Sequence, residues 1–252
     1  MIKLFIYYSV LLINLSCGSS GLGQSGTTPP SHATFDQLLQ AHVSEQGTVD
    51  YKGFMADVDK LDAYLASLSS NAPDRAAWSE AEQLAYWINA YNAFTIKLIL
   101  DHYPVKSIKD IGPKLTIPIV NTVWHLEFFE IGGKPASLDE IEHKILRKEF
   151  DEPRIHFAIN CASISCPKLM NHAYSAKNLD AQLQQAAYTF INNPMHNSLT
   201  KEQAELSPLF SWFEEDFTRK GSLVDFINQY AENKLNNEAK ISFKDYNWSL
   251  NE

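Results

Sequence analysis

Hydrophobic residues recur at helical spacing over much of the chain and predict a helix-rich fold. Residues 35–43 and 54–68 carry apolar positions three and four apart, which indicates two amphipathic helices. Residues 83–100 contain a single charged side chain, Lys97, and their apolar residues go almost all the way round a helical wheel. Because a helix without a polar face is buried, this segment is predicted to be the central helix of the core.

Shorter apolar segments separated by turn residues predict the rest of the fold. Strand-forming residues on either side of Gly132 and Gly133 indicate a β-hairpin over residues 122–136. Residues 154–160 are predicted to be a short strand. Towards the C-terminus the pattern predicts a helix, a hairpin, two short helices and a last strand, over residues 176–192, 199–206, 208–217, 223–231 and 241–246. This irregular order predicts a single α+β domain with a small, largely antiparallel sheet of short strands.

The first 31 residues do not follow this pattern and are predicted to lie outside the fold. Lys3 precedes an uncharged, mostly apolar stretch at residues 4–15, which suits a signal peptide and is too short to span a bilayer. Cys17 is predicted to be the lipidated residue of a bacterial lipoprotein; an ordinary signal peptide cut nearby is the alternative. The Gly-, Ser- and Pro-rich stretch that follows suits a flexible tether. The chain is therefore predicted to contain a signal peptide, a lipidated cysteine with its tether, and one globular domain, at residues 1–16, 17–31 and 32–252.

Composition and charge limit the classes of protein and partner that the chain can represent. A hydrophobic content of 45% is ample for a packed core. Acidic residues outnumber basic ones by 30 to 21, for a formal net charge of −9, which argues against nucleic acid as a partner. The sequence has no phosphate-binding loop, nucleophile-elbow serine motif or HExxH motif, so no cofactor is predicted. The predicted location is the bacterial cell envelope, and the protein or small-molecule partner is left open.

Two cysteines form the sharpest candidate for chemistry. Cys161 and Cys166 lie in the loop directly after the predicted strand, where sites are usually built. If Cys17 is lipidated, these are the remaining cysteines, and an even pair in an oxidising compartment is usually a disulfide. In the competing interpretation Cys161 is a nucleophile, which requires a nearby base, cation or helix N-terminus to form the thiolate. A metal or redox role is a third possibility.

A capped helix supplies polar groups that could work with a thiol. Ser137 and Glu140 form a capping box that opens a helix reaching about Phe150. Glu142 falls in the middle of its apolar face, where a carboxylate must be paired, hydrogen-bonded or protonated. His143 lies at the edge of that face. Arg147 lies one turn further along the same side. This arrangement is either a structural ion pair of Glu142 with Arg147, or part of a site in which a histidine near a cysteine is the base and Glu142 orients it from another element.

Further polar residues lie on the predicted strand and on the central helix. His156 shares a strand face with Asn160, which leads to Cys161, so His156 is a second candidate base. Asn160 and Asn92 are candidate orienting groups, although buried asparagines more often hold neighbouring loops. His125 and Glu127 would share a face of the predicted hairpin, but two ligands are too few for a metal site, and none is predicted.

These segments resemble the family called domain of unknown function 547. The matching residues are Ala85 to Ala93, Ser137 to His143, His156 to Pro167, Leu206 to Trp212 with Asp216 and Phe217, and Tyr246 to Asn251. The resemblance spans nearly all of residues 35–251. The family occurs in exported bacterial proteins and as a C-terminal module in plants, and the resemblance implies no assigned substrate.

The sequence supports two hypotheses from different classes. The first is a thiol-dependent hydrolase or acyl transferase of the cell envelope, with Cys161 as nucleophile, His143 or His156 as base, and nearby carboxylate and amide groups orienting them. The second is a non-catalytic envelope binding or scaffold module in which a Cys161–Cys166 disulfide is structural. The two differ in one observable property, because only the first requires a free, accessible thiol at Cys161.

Overall fold

The computed structural model describes residues 28–112 and 122–252. The predicted signal peptide, Cys17 and most of the predicted tether lie outside the described residues. In the described part of the chain, no helix combines the length and the apolar character needed to cross a membrane.

Helices dominate the first half of the domain and pack around one of their number. Four α-helices follow one another: α1 Ala33–His42, α2 Tyr51–Ala56, α3 Val58–Ser70 and α4 Glu80–His102. The capping box of Ser79 and Glu82 opens α4, because each side chain accepts a hydrogen bond from the other's backbone N–H. From Leu84 to Leu100 every residue of α4 except Lys97 is buried. The prediction of a central buried helix is therefore confirmed.

Short elements follow in the second half, and the part of the chain that the structure describes contains two small sheets. They are the hairpin β1 Phe129–Ile131 and β2 Lys134–Ala136, a π-helical segment Glu140–Leu146, α5 Arg147–Glu149, α6 Leu179–Ile191, β3 Ser198–Leu199, β4 Gln203–Leu206, α7 Leu209–Trp212, α8 Glu214–Phe217, α9 Leu223–Tyr230 and β5 Lys240–Phe243. Strands β1 and β2 pair antiparallel, as do β3 and β4, whereas β4 and β5 pair parallel. The fold is a helix-rich α+β domain, as predicted.

The prediction of a strand at residues 154–160 is wrong. The structure has a 3-10 helix at Pro153–Phe157 instead. Pro153 fixes φ near the helical value and has no N–H for a ladder, and the Glu152 side chain caps the turn by accepting from Arg154 N–H. Because successive side chains from Ile155 onward are all buried, the segment has no exposed face. His156 and Asn160 therefore do not share a strand face.

Two further predictions at the neighbouring segments need correction. The hairpin starts only at Phe129, because Val123–His125 forms a 3-10 turn, so His125 and Glu127 do not share a strand face.

Ser137 caps the next helix as predicted, since its Oγ accepts from Glu140 N–H at 3.1 Å. The helix is then π-helical, and Arg147 N–H donates to Glu142 O, five residues back. This wider turn is frequent at functional sites.

The cysteine loop begins where two hydrophobic cores meet. The first core surrounds α4 and includes Ile155 and Ala158. The second core is formed by α6 to α9 with β4, and it includes Phe157. Residues 153–158 therefore contribute side chains to both cores, and this double anchoring fixes where Cys161 and Cys166 begin.

Candidate active site

Two asparagines hold the backbone of the cysteine loop. Asn92 of α4 donates from Nδ2 to Ala158 O at 3.0 Å and accepts from Asn160 N–H at 2.8 Å. The Asn160 side chain closes the loop itself, donating to Pro167 O at 2.7 Å and accepting from Ala162 N–H at 2.9 Å. Both amides are thus engaged with backbone groups. They position the loop, which agrees with the more common role of buried asparagines considered above.

The loop backbone adopts a conformation that side chains rarely take. Ala162, directly after Cys161, is fully buried and has a φ of 60°, in the left-handed region. A non-glycine residue there stores strain that the surrounding contacts must offset. Strained residues of this kind cluster at functional sites, so the turn is consistent with a role in aiming Cys161.

The C-terminal segment covers this loop from the other side. Ser163 and Leu250 form an isolated antiparallel bridge, and Ile164 N–H donates to Ser249 O at 2.9 Å. Asn251 N–H donates to Ala162 O at 3.3 Å. These bonds bring Tyr246 to the cysteines across more than 80 positions of sequence.

The thiol of Cys161 lies among three hydrogen-bonding groups. Its Sγ is 2.9 Å from Cys166 Sγ, 3.3 Å from Ser163 Oγ and 3.2 Å from the Tyr246 hydroxyl. Ser163 Oγ in turn donates to the Tyr246 hydroxyl at 3.0 Å. Both cysteines are free thiols. The structural disulfide considered from the even cysteine count is therefore absent from this structure.

These contacts change the acidity of the two thiols in opposite directions. The hydrogen bond between the two thiols lowers the pKa of Cys161 to about 7. Burial opposes this shift, and the hydrogen bonds with Ser163 and Tyr246 support it. Burial, together with the neighbouring Cys161, raises the pKa of Cys166 well above its ordinary value. Near neutral pH, Cys161 is the thiol that ionises and can act as a nucleophile.

Alkylation of Cys161 is expected to follow this lowered pKa. Because the thiolate is the reactive form, the rate should rise with pH through a midpoint near 7, below the ordinary thiol value of about 8.5. In Cys166→Ala the largest stabilising contact is lost, so the midpoint should move upward. The measurement is the rate of iodoacetamide labelling against pH, with the labelled residue read by peptide mass. An unchanged midpoint in that variant would show that Cys166 does not set the acidity.

Cys161 and Cys166 line a cavity of about 240 Å³ whose walls include six aromatic side chains. Its polar lining includes side chains of the π-helical segment, of the 3-10 helix Pro153–Phe157 and of the Val123–His125 turn. The side chains include Tyr91, Trp124, Trp212, Phe213, Tyr246, Trp248, Asp139, Glu142, His125, His143 and His156. Within residues 28–112 and 122–252, no group of three or more His, Cys, Asp or Glu residues is arranged to hold a metal ion.

Glu142 is the inward carboxylate that the helix pattern predicts. It is buried, and Oε2 accepts from the Tyr91 hydroxyl at 3.1 Å. Burial raises its pKa to about 7, although the bond from Tyr91 acts in the opposite direction. Glu142 can therefore gain or release a proton inside the cavity near neutral pH. Among the described residues its side-chain partner is Tyr91, so the predicted orienting contact with a histidine is not made. The predicted ion pair with Arg147 is also wrong, because Arg147 pairs with Asp216 instead.

His143 lies at the edge of the cavity, as the helix pattern predicts. Its Nδ1 is 2.9 Å from Arg147 Nη1, and its Nε2 is 3.8 Å from Asp139 Oδ1. Partial burial lowers its pKa below the ordinary histidine value. The ring is therefore neutral at pH 7, with Nδ1 accepting from Arg147.

His156 is paired with a carboxylate that the sequence reasoning missed. Its Nε2 is 2.8 Å from Asp216 Oδ2, and its ring stacks on Phe213 at 4.0 Å between centroids. Burial lowers the pKa of His156 to about 4, so the imidazole is neutral, donates from Nε2 and carries its lone pair on Nδ1. That Nδ1 is buried and has no hydrogen-bond partner among the described residues.

Asp216 accepts hydrogen bonds from three side chains, those of Arg147, His156 and Arg219. Arg147 Nε reaches Oδ2 and Arg219 Nη2 reaches Oδ1, each at 2.5 Å. The bonds from His156 and Arg147 hold its pKa well below the ordinary value despite burial. The residue appears in the resembling segment that ends at Phe217, which is the signal that could have identified it.

The structure thus brings most predicted site residues to one cavity. Cys161, Cys166, Glu142, His143 and His156 all line it, whereas the two asparagines lie behind the loop. In the described residues, however, no hydrogen bond joins Cys161 Sγ to a histidine ring. The contacts that activate the thiol come from Cys166, Ser163 and Tyr246.

Fold and cavity together define a helix-rich α+β domain with a two-thiol pocket. Residues 75–191 match the model of the family described as "Protein of unknown function, DUF547". The match contains Cys161, Cys166, His143 and His156, and it ends before Asp216 and Tyr246. Neither the curated proteins nor the solved structures contain a match to this chain.

Proposed function

We propose that this chain is a thiol-dependent hydrolase or acyl transferase with Cys161 as its nucleophile. The observation that carries the proposal is the Cys161 thiol, with a pKa of about 7, in one cavity with two neutral imidazoles and a carboxyl of similar acidity. A thiol that ionises by itself near neutral pH needs no base in direct contact to attack. This accounts for a reactive thiol without a cysteine–histidine hydrogen bond.

The proposed reaction proceeds through a thioester. The Cys161 thiolate attacks the carbonyl carbon of an ester, thioester or amide, and the carbon–heteroatom bond breaks as the leaving group departs with its electron pair. A protonated Glu142, or a proton delivered through water, neutralises that group. Water or another acceptor then attacks the thioester carbon and returns the thiolate of Cys161. The neutral His156 accepts the proton of that second nucleophile at Nδ1, while Asp216 holds its Nε2–H.

The cellular setting of the proposal comes from the N-terminal sequence. A lipidated Cys17 with a tether to residue 31 would hold the domain close to a membrane of the bacterial envelope. The substrate would then be an acyl compound of the envelope. Metabolic labelling of the expressed full chain with a fatty-acid analogue, compared with Cys17→Ser, tests the anchor separately from the chemistry.

Turnover of an activated ester tests the nucleophile. The full chain should hydrolyse p-nitrophenyl acetate over many cycles, and Cys161→Ala should lower the rate by at least about 100-fold because the covalent route is lost. Asp216→Asn should lower the rate less while retaining acylation of Cys161, since it affects the second step. Intact mass after rapid quenching reads the acyl-enzyme.

The control is Ser165→Ala, a polar residue of the same loop whose Oγ accepts from Asn247 N–H. Circular dichroism confirms that each variant is folded. Undiminished turnover in Cys161→Ala would refute the proposal. A folded wild-type protein that never forms an acyl adduct would instead favour the non-catalytic binding module.

A further inference from the structure

The two sulfur atoms lie close enough for a bond to form with little motion. Cys161 Sγ and Cys166 Sγ are 2.9 Å apart, whereas a disulfide bond is about 2.05 Å long, so the sulfurs need to approach by roughly 0.9 Å. Cys161 N–H also donates to Cys166 Sγ at 2.9 Å, which aligns the second thiol with the first. The loop that carries both is held by Asn160 across its ends.

The two thiols differ in access. Cys161 is partly exposed and lines the cavity, where a second molecule can reach it. Cys166 is buried, with 6% of its surface exposed, and lies beside Cys161. Their acidities differ in the same sense, because the pKa of Cys161 is lowered and that of Cys166 is raised. One thiol is thus suited to attack and the other to react only with its neighbour.

We propose that Cys161 and Cys166 carry out thiol–disulfide exchange with a disulfide-containing substrate, in which Cys161 attacks and Cys166 resolves. This activity uses the same nucleophile as the proposed acyl chemistry but does not depend on it. The acceptor is any accessible disulfide, either of a protein or of a small thiol compound, that fits the aromatic cavity.

Each step of the exchange is balanced. The Cys161 thiolate attacks one sulfur of the substrate disulfide, a mixed disulfide forms, and the other substrate sulfur leaves as a thiolate. Cys166 then attacks Cys161 Sγ, the mixed disulfide breaks, and the proton of Cys166 passes to the second departing thiolate. The pair loses two electrons to become a disulfide, and the substrate disulfide is reduced to two thiols. While the bond is closed, Cys161 cannot act as an acyl nucleophile.

Trapping the mixed disulfide tests the division of roles. The full chain with Cys17→Ser, in which Cys161 and Cys166 are the remaining thiols, is reduced, treated with oxidised glutathione and read by intact mass. We expect loss of two hydrogens without a lasting adduct. Adding Cys166→Ser should leave one stable glutathione adduct on Cys161. Adding Cys161→Ser instead should slow adduct formation by at least about 10-fold, because Cys166 is buried and weakly acidic.

Three results would overturn the proposal. These are a lasting adduct on the protein that retains both cysteines, equal rates of adduct formation in the two single-thiol variants, and no oxidation of the pair at any glutathione ratio. The last measurement needs no cysteine variant of the loop, so it stands even if a substitution prevents folding. Ester turnover is assayed on the fully reduced protein, and its outcome is therefore independent of all three.

Discussion

Replacing Asp216 by alanine is expected to lower the free energy of unfolding by about 3–5 kcal/mol, the range for breaking a buried ion pair. Asp216 is buried and accepts from Arg147, Arg219 and His156. Arg147 is itself largely buried, so its charge would lose the carboxylate that compensates it. His156 would lose Asp216, the one hydrogen-bond partner that its ring has within residues 28–112 and 122–252. Denaturant unfolding of the full chain measures the change.

A matched acidic residue provides the control. Asp151 is exposed and pairs with Lys220 at 2.7 Å and with Arg219 at 3.6 Å. Because exposed ion pairs contribute about 0–1 kcal/mol, Asp151→Ala should change the stability little. Equal losses in the two variants would contradict the assignment of Asp216 as a buried anchor. The comparison is direct because both carboxylates share Arg219.

The same anchor relates stability to the candidate chemistry. Asp216 determines which nitrogen of His156 carries the proton. It also accepts from Arg147, the residue that donates to His143. Both candidate bases are therefore connected to one carboxylate of α8. A variant such as Asp216→Asn, which keeps the shape of the side chain but not its charge, separates loss of orientation from loss of folding.

Features set by short-range patterns were predicted well from the sequence. The burial of α4 followed from its apolar wheel, and the hairpin and the Ser137 cap followed from local turn and capping signals. Glu142 was placed inward because one face of its helix is apolar, and its position on that face survives the change from α- to π-helical geometry. Such patterns involve residues a few positions apart, which periodicity can detect.

Features set by long-range contacts were not predicted. Residues 153–157 became a 3-10 helix because Pro153, the Glu152 cap and packing into two cores outweigh their strand propensity. The partners of the site come from far along the chain, with Asp216 60 positions after His156 and Tyr246 85 positions after Cys161. No local pattern brings such residues together, so the chemistry of the thiol could be proposed but its activating contacts could not.

Two asparagines of α4 allow loop geometry to be separated from general stability. Asn92→Ala is expected to lower the free energy of unfolding by about 2–6 kcal/mol, because it leaves the buried Ala158 O and Asn160 N–H without partners at about 1–3 kcal/mol each. Asn89→Ala should cost a similar amount, since Asn89 bonds in the same way to the N–H and carbonyl of Tyr174.

Of these two variants, only Asn92→Ala should alter the reactivity of the Cys161 thiol. Asn92 fixes the backbone from which Cys161 projects, so Asn92→Ala should shift the alkylation midpoint of Cys161 upward and slow closure of the disulfide with Cys166. Asn89→Ala should leave both properties unchanged, because Asn89 bonds to the backbone of Tyr174 and not to that of the cysteine loop. Unfolding by denaturant and pH-dependent alkylation are measured on the same preparations. If both variants altered the thiol equally, its reactivity would depend on overall stability, and the positioning role of Asn92 would be wrong.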